Sequence, residues 1–311
     1  MRPRLATGAL SFRAVTVALA TSAALPGLSG DDRHLLHALR RLGVAAEPVV
    51  WEDPHYDWAA ARACVIRSAW DYAYRRPAFL AWARRVARVI PLWNSADLVE
   101  WNTHKRYLVD LAHRGVPTVP TVVLSAGPPV RLPALLEEHG WTDVILKAAV
   151  AQTGRYLLRV PPDGVAAGQK HLDRLQPHED MLLQPFLPGV TGAGETSVIF
   201  VEGGLSHAVR KRPAAGEFRV HDDFGGTVEA APPSAAELEV AQRAVGAVGQ
   251  PLLYARVDLV PGPTGPVVME LELVEPDLFF GHSGGGAERL AEAIVRRLAL
   301  TAHRQPPTAN R

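Results

Sequence analysis

The stretch Tyr254–Phe280, YARVDLVPGPTGPVVMELELVEPDLFF, decides how the chain is read. Two apolar runs, Tyr254–Val260 and Val267–Val274, flank the Pro/Gly segment Pro261–Pro266, which predicts a hairpin. Acids interrupt both runs: Asp258 in the first, Glu270 and Glu272 two apart in the second. Alternation puts Glu270 and Glu272 on one face and Met269, Leu271 and Leu273 on the other, and strand pairing brings Asp258 to the acidic face. Three carboxylates gathered among Val, Leu and Met need a compensating cation, and hard oxygen donors favour Mg²⁺. A solvated sheet face carrying ordinary acids explains the same pattern.

At 311 residues the chain suits two domains or one large α/β body with subdomains. An apolar fraction of 48% supports a substantial core, and a net charge of +1 gives no reason to expect nucleic acid or an acidic membrane as partner. The single cysteine, Cys64, excludes an internal disulfide and reads as a core residue in the run ACVI. Arg2 and Arg4 ahead of the mildly apolar Ala14–Leu25 superficially resemble a signal peptide. Arg13 interrupts the lead-in, however, and the apolar part is rich in Ala and Thr. The expectation is a ragged leader over 1–13, then the first strand of a cytoplasmic protein. No run is long enough to cross a bilayer. The histidines show no ligand spacing, and no P-loop, HExxH, GxSxG or CxxC is present.

Strands over Ala14–Ala20, Glu47–Trp51 and Ala63–Ile66 alternate with helices over Asp32–Leu42, capped by Asp31, and Pro77–Val89. Such alternation predicts a parallel sheet, and ligands of these sheets sit beyond the carboxyl ends of the strands. The segment RSAWDY lies at such an end, which makes Arg67, Asp71 and Tyr72 candidates for substrate contact, with a buried Arg–Asp ion pair as the alternative. A helix capped by Asn102 or Thr103 runs to His113, with Lys105 in its first turn. Then come strands over Thr118–Leu124 and Val144–Lys147 around a short helix, Leu132–His139. Lys147 ends an apolar strand, where an unpaired ammonium is costly. Met181–Leu187, Glu195–Val201 and Leu205–Val209 read as strands. The basic residues Arg210, Lys211, Arg212 and Arg219 bracket a loop at Pro213–Glu217; they either clamp anionic phosphates or are simply solvated. Ser234–Gly249 is a helix with a Ser234/Glu237 capping box, and Gly284–Leu300 is the last helix.

Lys105 at a helix start, Lys147 ending a strand, LLQPFLPGV, GETS, RK…FR…GG, RVDLV and MELEL occur in a specific order. In that order they resemble the ATP-grasp superfamily over roughly residues 14–300. The resemblance implies an α/β and α+β chain: a leader (1–13), an N-terminal parallel-sheet substrate-side domain (14–100), and two α+β subdomains (101–180 and 181–303) enclosing ATP, with a frayed tail at 304–311. It implies that Lys105 and Lys147 hold the nucleotide phosphates. Gln184, Pro185, Phe186 and Leu187 would be the hinge that reads adenine, and Glu195 would bind the ribose. Lys211 and Arg219 would steady the γ-phosphate and an acyl phosphate, while Asp258, Glu270 and Glu272 would hold Mg²⁺, as a pair of ions. The chain departs from the pattern in two places. Only Gly154 marks the loop after Lys147, where relatives are glycine-rich, and Glu272 stands where glutathione synthetase-like members carry Asn.

The segments RSAWDY, LWNSADLVEWNTHKRYL and ELELVEPDLFF most resemble the cycloserine-synthetase branch. That resemblance implies an ATP-dependent cyclo-ligase that closes O-ureido-D-serine to D-cycloserine, with Glu275 as a further substrate contact by location. It also implies a small amino-acid-like substrate, a cytoplasmic setting and a homo-oligomer. An intermolecular amino-acid or peptide ligase, and a nucleotide-binding module without ligase activity, are the alternatives.

Overall fold

The computed structural model describes residues 16–152, 154–220 and 224–302. The expected leader, the strand start at Ala14, His221 and the tail over 304–311 lie outside them. The chain opens with β1 (Thr16–Thr21), α1 (Asp32–Arg41), β2 (Ala45–Val50), β3 (Ala63–Ile66), α2 (Arg76–Ala87) and β4 (Leu92–Trp93). These strands form a parallel sheet in the order β2-β1-β3-β4. The alternation of short apolar runs and amphipathic helices therefore has its expected outcome. β3 is buried throughout, Cys64 included, because helices cover both faces of such a sheet.

After α3 (Ala96–Asn102) and α4 (Tyr107–His113), β5 (Val122–Leu124), α5 (Leu132–His139), β6 (Val144–Ala148), β7 (Leu158–Val160), α6 (Val165–Leu175) and β8 (Met181–Pro185) build a second, antiparallel sheet, β5-β8-β6-β7. A single turn, α7 (Gly189–Gly192), leads to β9 (Glu195–Val201), β10 (Gly204–Arg212), β11 (Thr227–Ala230), α8 (Ala235–Ala247), β12 (Tyr254–Gly262), β13 (Gly265–Glu272) and α9 (Gly286–Ala302). Their sheet, β11-β10-β9-β12-β13, is antiparallel. The capping box on α8 is present in full. Among the described residues, no helix is long and apolar enough to cross a membrane.

Three local expectations are corrected. Asp31 does not cap α1: the Ser29 hydroxyl accepts the Asp32 N–H at 3.1 Å, while the Asp31 carboxylate accepts Gly281 N–H at 3.0 Å. The helix expected over Asn102–His113 is broken in two, so Lys105 lies in the connection between α3 and α4 instead of in a first turn. Only Val122–Leu124 of the strand expected over Thr118–Leu124 joins the second sheet. Val119 N–H instead donates to Val268 O at 3.0 Å and Val268 N–H to Pro117 O at 2.9 Å, and Pro120, which has no N–H, ends that pairing.

The second and third corrections share a cause. β13 is an edge strand whose unpaired backbone groups need partners. Asn102 supplies two, donating from Nδ2 to Leu271 O at 2.8 Å and accepting Leu273 N–H at 2.7 Å, and the Tyr107 hydroxyl accepts Leu271 N–H at 3.1 Å. Asn94 clasps the neighbouring backbone, donating to Tyr254 O at 3.0 Å and Leu273 O at 2.7 Å. The segment between the first two sheets is thus stitched to the acidic strand, and Lys105 is delivered beside it.

Candidate active site

An open cleft of about 980 Å³ lies between the second and third sheets, walled by Lys105, Lys147, Gln184, Glu195, Lys211, Arg219, Asp258, Glu270 and Glu272 among others. The hairpin brings its acids together as alternation predicts. Asp258 faces Glu270 across β12 and β13, and Arg256 faces Glu272. A register shift beyond Asp258 forms a bulge at Met269, because Leu259 pairs with Val268. Met269 consequently lines the cleft beside Glu270, although strict alternation assigns it to the far face with Leu271 and Leu273, which are buried in the core.

Each of these carboxylates is matched with a base. Glu270 accepts Lys105 Nζ on Oε2 at 2.9 Å and Lys147 Nζ on Oε1 at 3.2 Å. Burial works to raise its pKa, and the two ammoniums override it, holding the carboxyl well below the usual carboxylate range. Lys147 is buried and crowded by Lys105, and its own pKa is lowered. The backbone explains why these lysines converge: Lys105 N–H donates to Ala149 O at 2.8 Å, in the loop leaving β6. Asp258 accepts Arg256 Nη2 at 2.9 Å and the Ser197 hydroxyl at 2.6 Å, with Lys211 Nζ at 3.4 Å. Burial opposes ionisation there, but Arg256 and Lys211 push the carboxyl down to about 2. Arg256 Nη2 also reaches Glu272 Oε1 at 2.6 Å. Burial and the neighbouring carboxylates still raise the Glu272 pKa. Glu195, at the start of β9, forms an ion pair with Lys211, and burial raises its pKa.

Among the described residues, no group of three His, Cys, Asp or Glu side chains is drawn together as a ready metal cluster. Asp258, Glu270 and Glu272 are nonetheless hard oxygen donors sharing one strand face, which is the donor chemistry Mg²⁺ takes. Lysine and arginine hold them in this arrangement.

The end of β8 forms another wall. Gln184, Pro185, Phe186 and Leu187 all line the cleft. Gln184 Nε2 donates to Thr121 Oγ1 at 2.8 Å, and Phe186 N–H is taken by Asp143 O at 2.9 Å. The Phe186 ring carries the Arg159 guanidinium 3.7 Å from its centroid and meets Phe218 edge-on at 6.0 Å. Of the basic triplet, alternation along β10 turns only Lys211 into the cleft, while Arg210 pairs with Glu237 and Arg212 with Glu229. Arg219 pairs with Glu217 and lies 3.5 Å from the Phe224 ring centroid.

The RSAWDY residues divide. Arg67 is fully buried and is a clasp: Nε donates to Asp32 Oδ1 at 2.8 Å, Nη2 reaches Pro276 O, and the guanidinium lies 5.0 Å from the Tyr254 ring centroid. Asp71 accepts Trp51 Nε1 at 3.0 Å and pairs with Arg75. Neither is among the cleft-lining residues, and the ion pair joins Arg67 to Asp32 and not to Asp71. Tyr72 is buried behind the cleft, its hydroxyl accepting Gln152 Nε2 at 2.9 Å, and the same amide donates to Glu275. Sequence reading missed Arg256 and Gln152. Arg256 was detectable, because it stands two residues before Asp258 and so shares its face. Gln152 carries no local signal.

The family described as "D-cycloserine synthetase DcsG, N-terminal domain" matches residues 17–94. The cycloserine biosynthesis protein DcsG of Streptomyces lavendulae is 34% identical over 301 residues, covering 91% of this chain and 98% of the relative. A crystal structure of D-cycloserine synthetase DcsG superposes with a TM-score of 0.83 at 34% identity, covering 91% of this chain and 99% of that one. The RimK domain protein ATP-grasp from Sphaerobacter thermophilus, at 22% identity, a TM-score of 0.67 and coverage of 90% and 99%, shares the fold.

Proposed function

This chain belongs to the D-cycloserine synthetase family of ATP-grasp ligases, and we propose that it cyclises O-ureido-D-serine to D-cycloserine at the cleft between residues 101–180 and 181–303. ATP phosphorylates the substrate carboxylate, giving an acyl phosphate and ADP. The substrate's own N–O nitrogen attacks that carbonyl and expels phosphate, closing the ring. With water, the carbamoyl part leaves as CO₂ and ammonia. Because the nucleophile is tethered to the acyl group, orientation replaces a second substrate site.

The observation that carries this reading is the pairing of four acids, Asp258, Glu270, Glu272 and Glu195, with four bases, Lys105, Lys147, Lys211 and Arg256, at one cleft. Phosphoryl transfer demands charge neutralisation and positioning more than a covalent side chain. Lys105 and Lys147 bind the nucleotide phosphates, and Lys211 and Arg219 steady the transferring group. Residues Gln184–Leu187 hold adenine, and Glu195 accepts a ribose hydroxyl. Asp258, Glu270 and Glu272 hold a pair of Mg²⁺ ions, whose contribution when bound is to neutralise phosphate charge. The substrate side is formed by Tyr72, which follows β3 of the N-terminal sheet, and by Glu275, which follows β13. Arg67 and Asp71 support that side from behind. The enzyme acts in the cytoplasm, as a homo-oligomer.

The test is ADP release with Mg²⁺ and ATP. O-ureido-D-serine alone should give turnover and a ring product. Turnover only with a pair of amino acids would make the enzyme an intermolecular ligase and overturn the proposal.

A further inference from the structure

One acid beside the cleft lacks what the others have. Glu270, Asp258, Glu272 and Glu195 each touch a lysine or arginine. Glu275, three residues past Glu272, is 4% exposed and forms no ion pair among the described residues. Gln152 Nε2 donates to its Oε1, and its Oε2 has no hydrogen-bond partner among the described residues. Its backbone is pinned, because Trp70 Nε1 donates to Glu275 O at 3.0 Å. A buried carboxylate with no counter-charge is costly. Burial, with the Glu272 charge behind it, pushes the Glu275 carboxyl up to about 8.

The surroundings say which chemistry satisfies it. Gln152 lines the cleft together with Lys105 and Glu272. Its single amide nitrogen bonds both Glu275 and the Tyr72 hydroxyl, the latter at 2.9 Å. A nitrogen donor therefore reaches both acceptors from the cleft side. An ammonium offers three donors and the missing positive charge, whereas the amide offers two donors and none.

We propose that Glu275, with the Tyr72 hydroxyl beside it and Gln152 at the cleft wall, binds the ammonium group of an amino-acid-like substrate and selects α-amino acids over their desamino counterparts. The proposal rests on the ligase reading above. In an α-amino acid the ammonium and the carboxylate share one carbon, so an ammonium held here keeps the carboxylate within the same cleft as the phosphate-binding lysines.

The test compares ADP release from O-ureido-D-serine and from 3-(ureidooxy)propionate, the same skeleton without the ammonium, at saturating Mg²⁺ and ATP. The wild-type enzyme should prefer the ammonium compound. Glu275→Gln should raise its KM on the order of 10- to 100-fold, the worth of one charge-assisted contact, and move the KM of the desamino compound less than about twofold. Tyr72→Phe should lower the same preference more modestly and serves as the probe if the first variant does not fold. If the preference survives in the folded variants, the inference falls and the ligase reading stands. If the wild-type enzyme turns over neither compound, the ligase reading fails and the inference fails with it.

Discussion

Asp258 and Glu270 are cross-strand partners, yet they are neutralised from different sides of the cleft. Arg256 and Lys211 reach Asp258 from the third sheet's own strands, whereas Lys105 and Lys147 reach Glu270 from the connection before α4 and from β6. The acidic strand is therefore a seam at which two layers of the fold lock by charge.

Glu270→Gln removes the acceptor for two lysines and one of the proposed Mg²⁺ ligands. ADP release should fall on the order of 100- to 1000-fold. Far-ultraviolet circular dichroism should be unchanged, because the isostere keeps the shape and one acceptor oxygen. Turnover within a few-fold of wild type would sink the assignment.

Arg256→Met leaves Asp258 and Glu272 without the guanidinium that joins them. Removing one partner of a buried charge network costs about 3 kcal/mol or more. Added Mg²⁺ should restore more of the thermal midpoint in this variant than in wild type, since the freed carboxylates are hard-ion ligands. Equal Mg²⁺ responses in a thermal-shift titration would argue that these acids do not bind the ion.

Asn102→Ala leaves Leu271 O and Leu273 N–H unpaired at the edge of β13. Urea unfolding should show a loss of about 2 kcal/mol. Because Lys105 is three residues away, the KM for ATP should rise as well; a loss of stability with an unmoved KM would confine Asn102 to a structural role.

Glu275 also sets a slope of stability against pH. Its pKa is raised from 4.5 to about 8 in the folded chain, so between those values the native state binds more protons than the unfolded one. Stability should therefore fall as pH rises across that window. Glu275→Gln should flatten the fall in denaturant midpoints measured from pH 5 to 8, and an identical slope in both proteins would contradict the raised value.

Much of this was legible in the chain. Hairpin alternation placed Asp258, Glu270 and Glu272 on one face, apolar runs between amphipathic helices produced the parallel sheet, and Ser234 with Glu237 marked a cap. Expectations failed where a long-range partner outbid a local preference. Asp31 and Asn102 are good caps by type, but Gly281 and the β13 edge claimed their side chains. Met269 escaped alternation through a bulge.

The sequence alone determined the strands, the helices and which acids share a face, because those follow from side-chain periodicity along a few residues. Only the tertiary structure decided that Lys105 and Lys147 meet on Glu270, that Arg67 belongs to Asp32, and that Glu275 forms no ion pair among the described residues. Those outcomes depend on residues far apart in the chain, whose meeting is set by how three sheets pack and how each buried charge finds, or fails to find, its opposite.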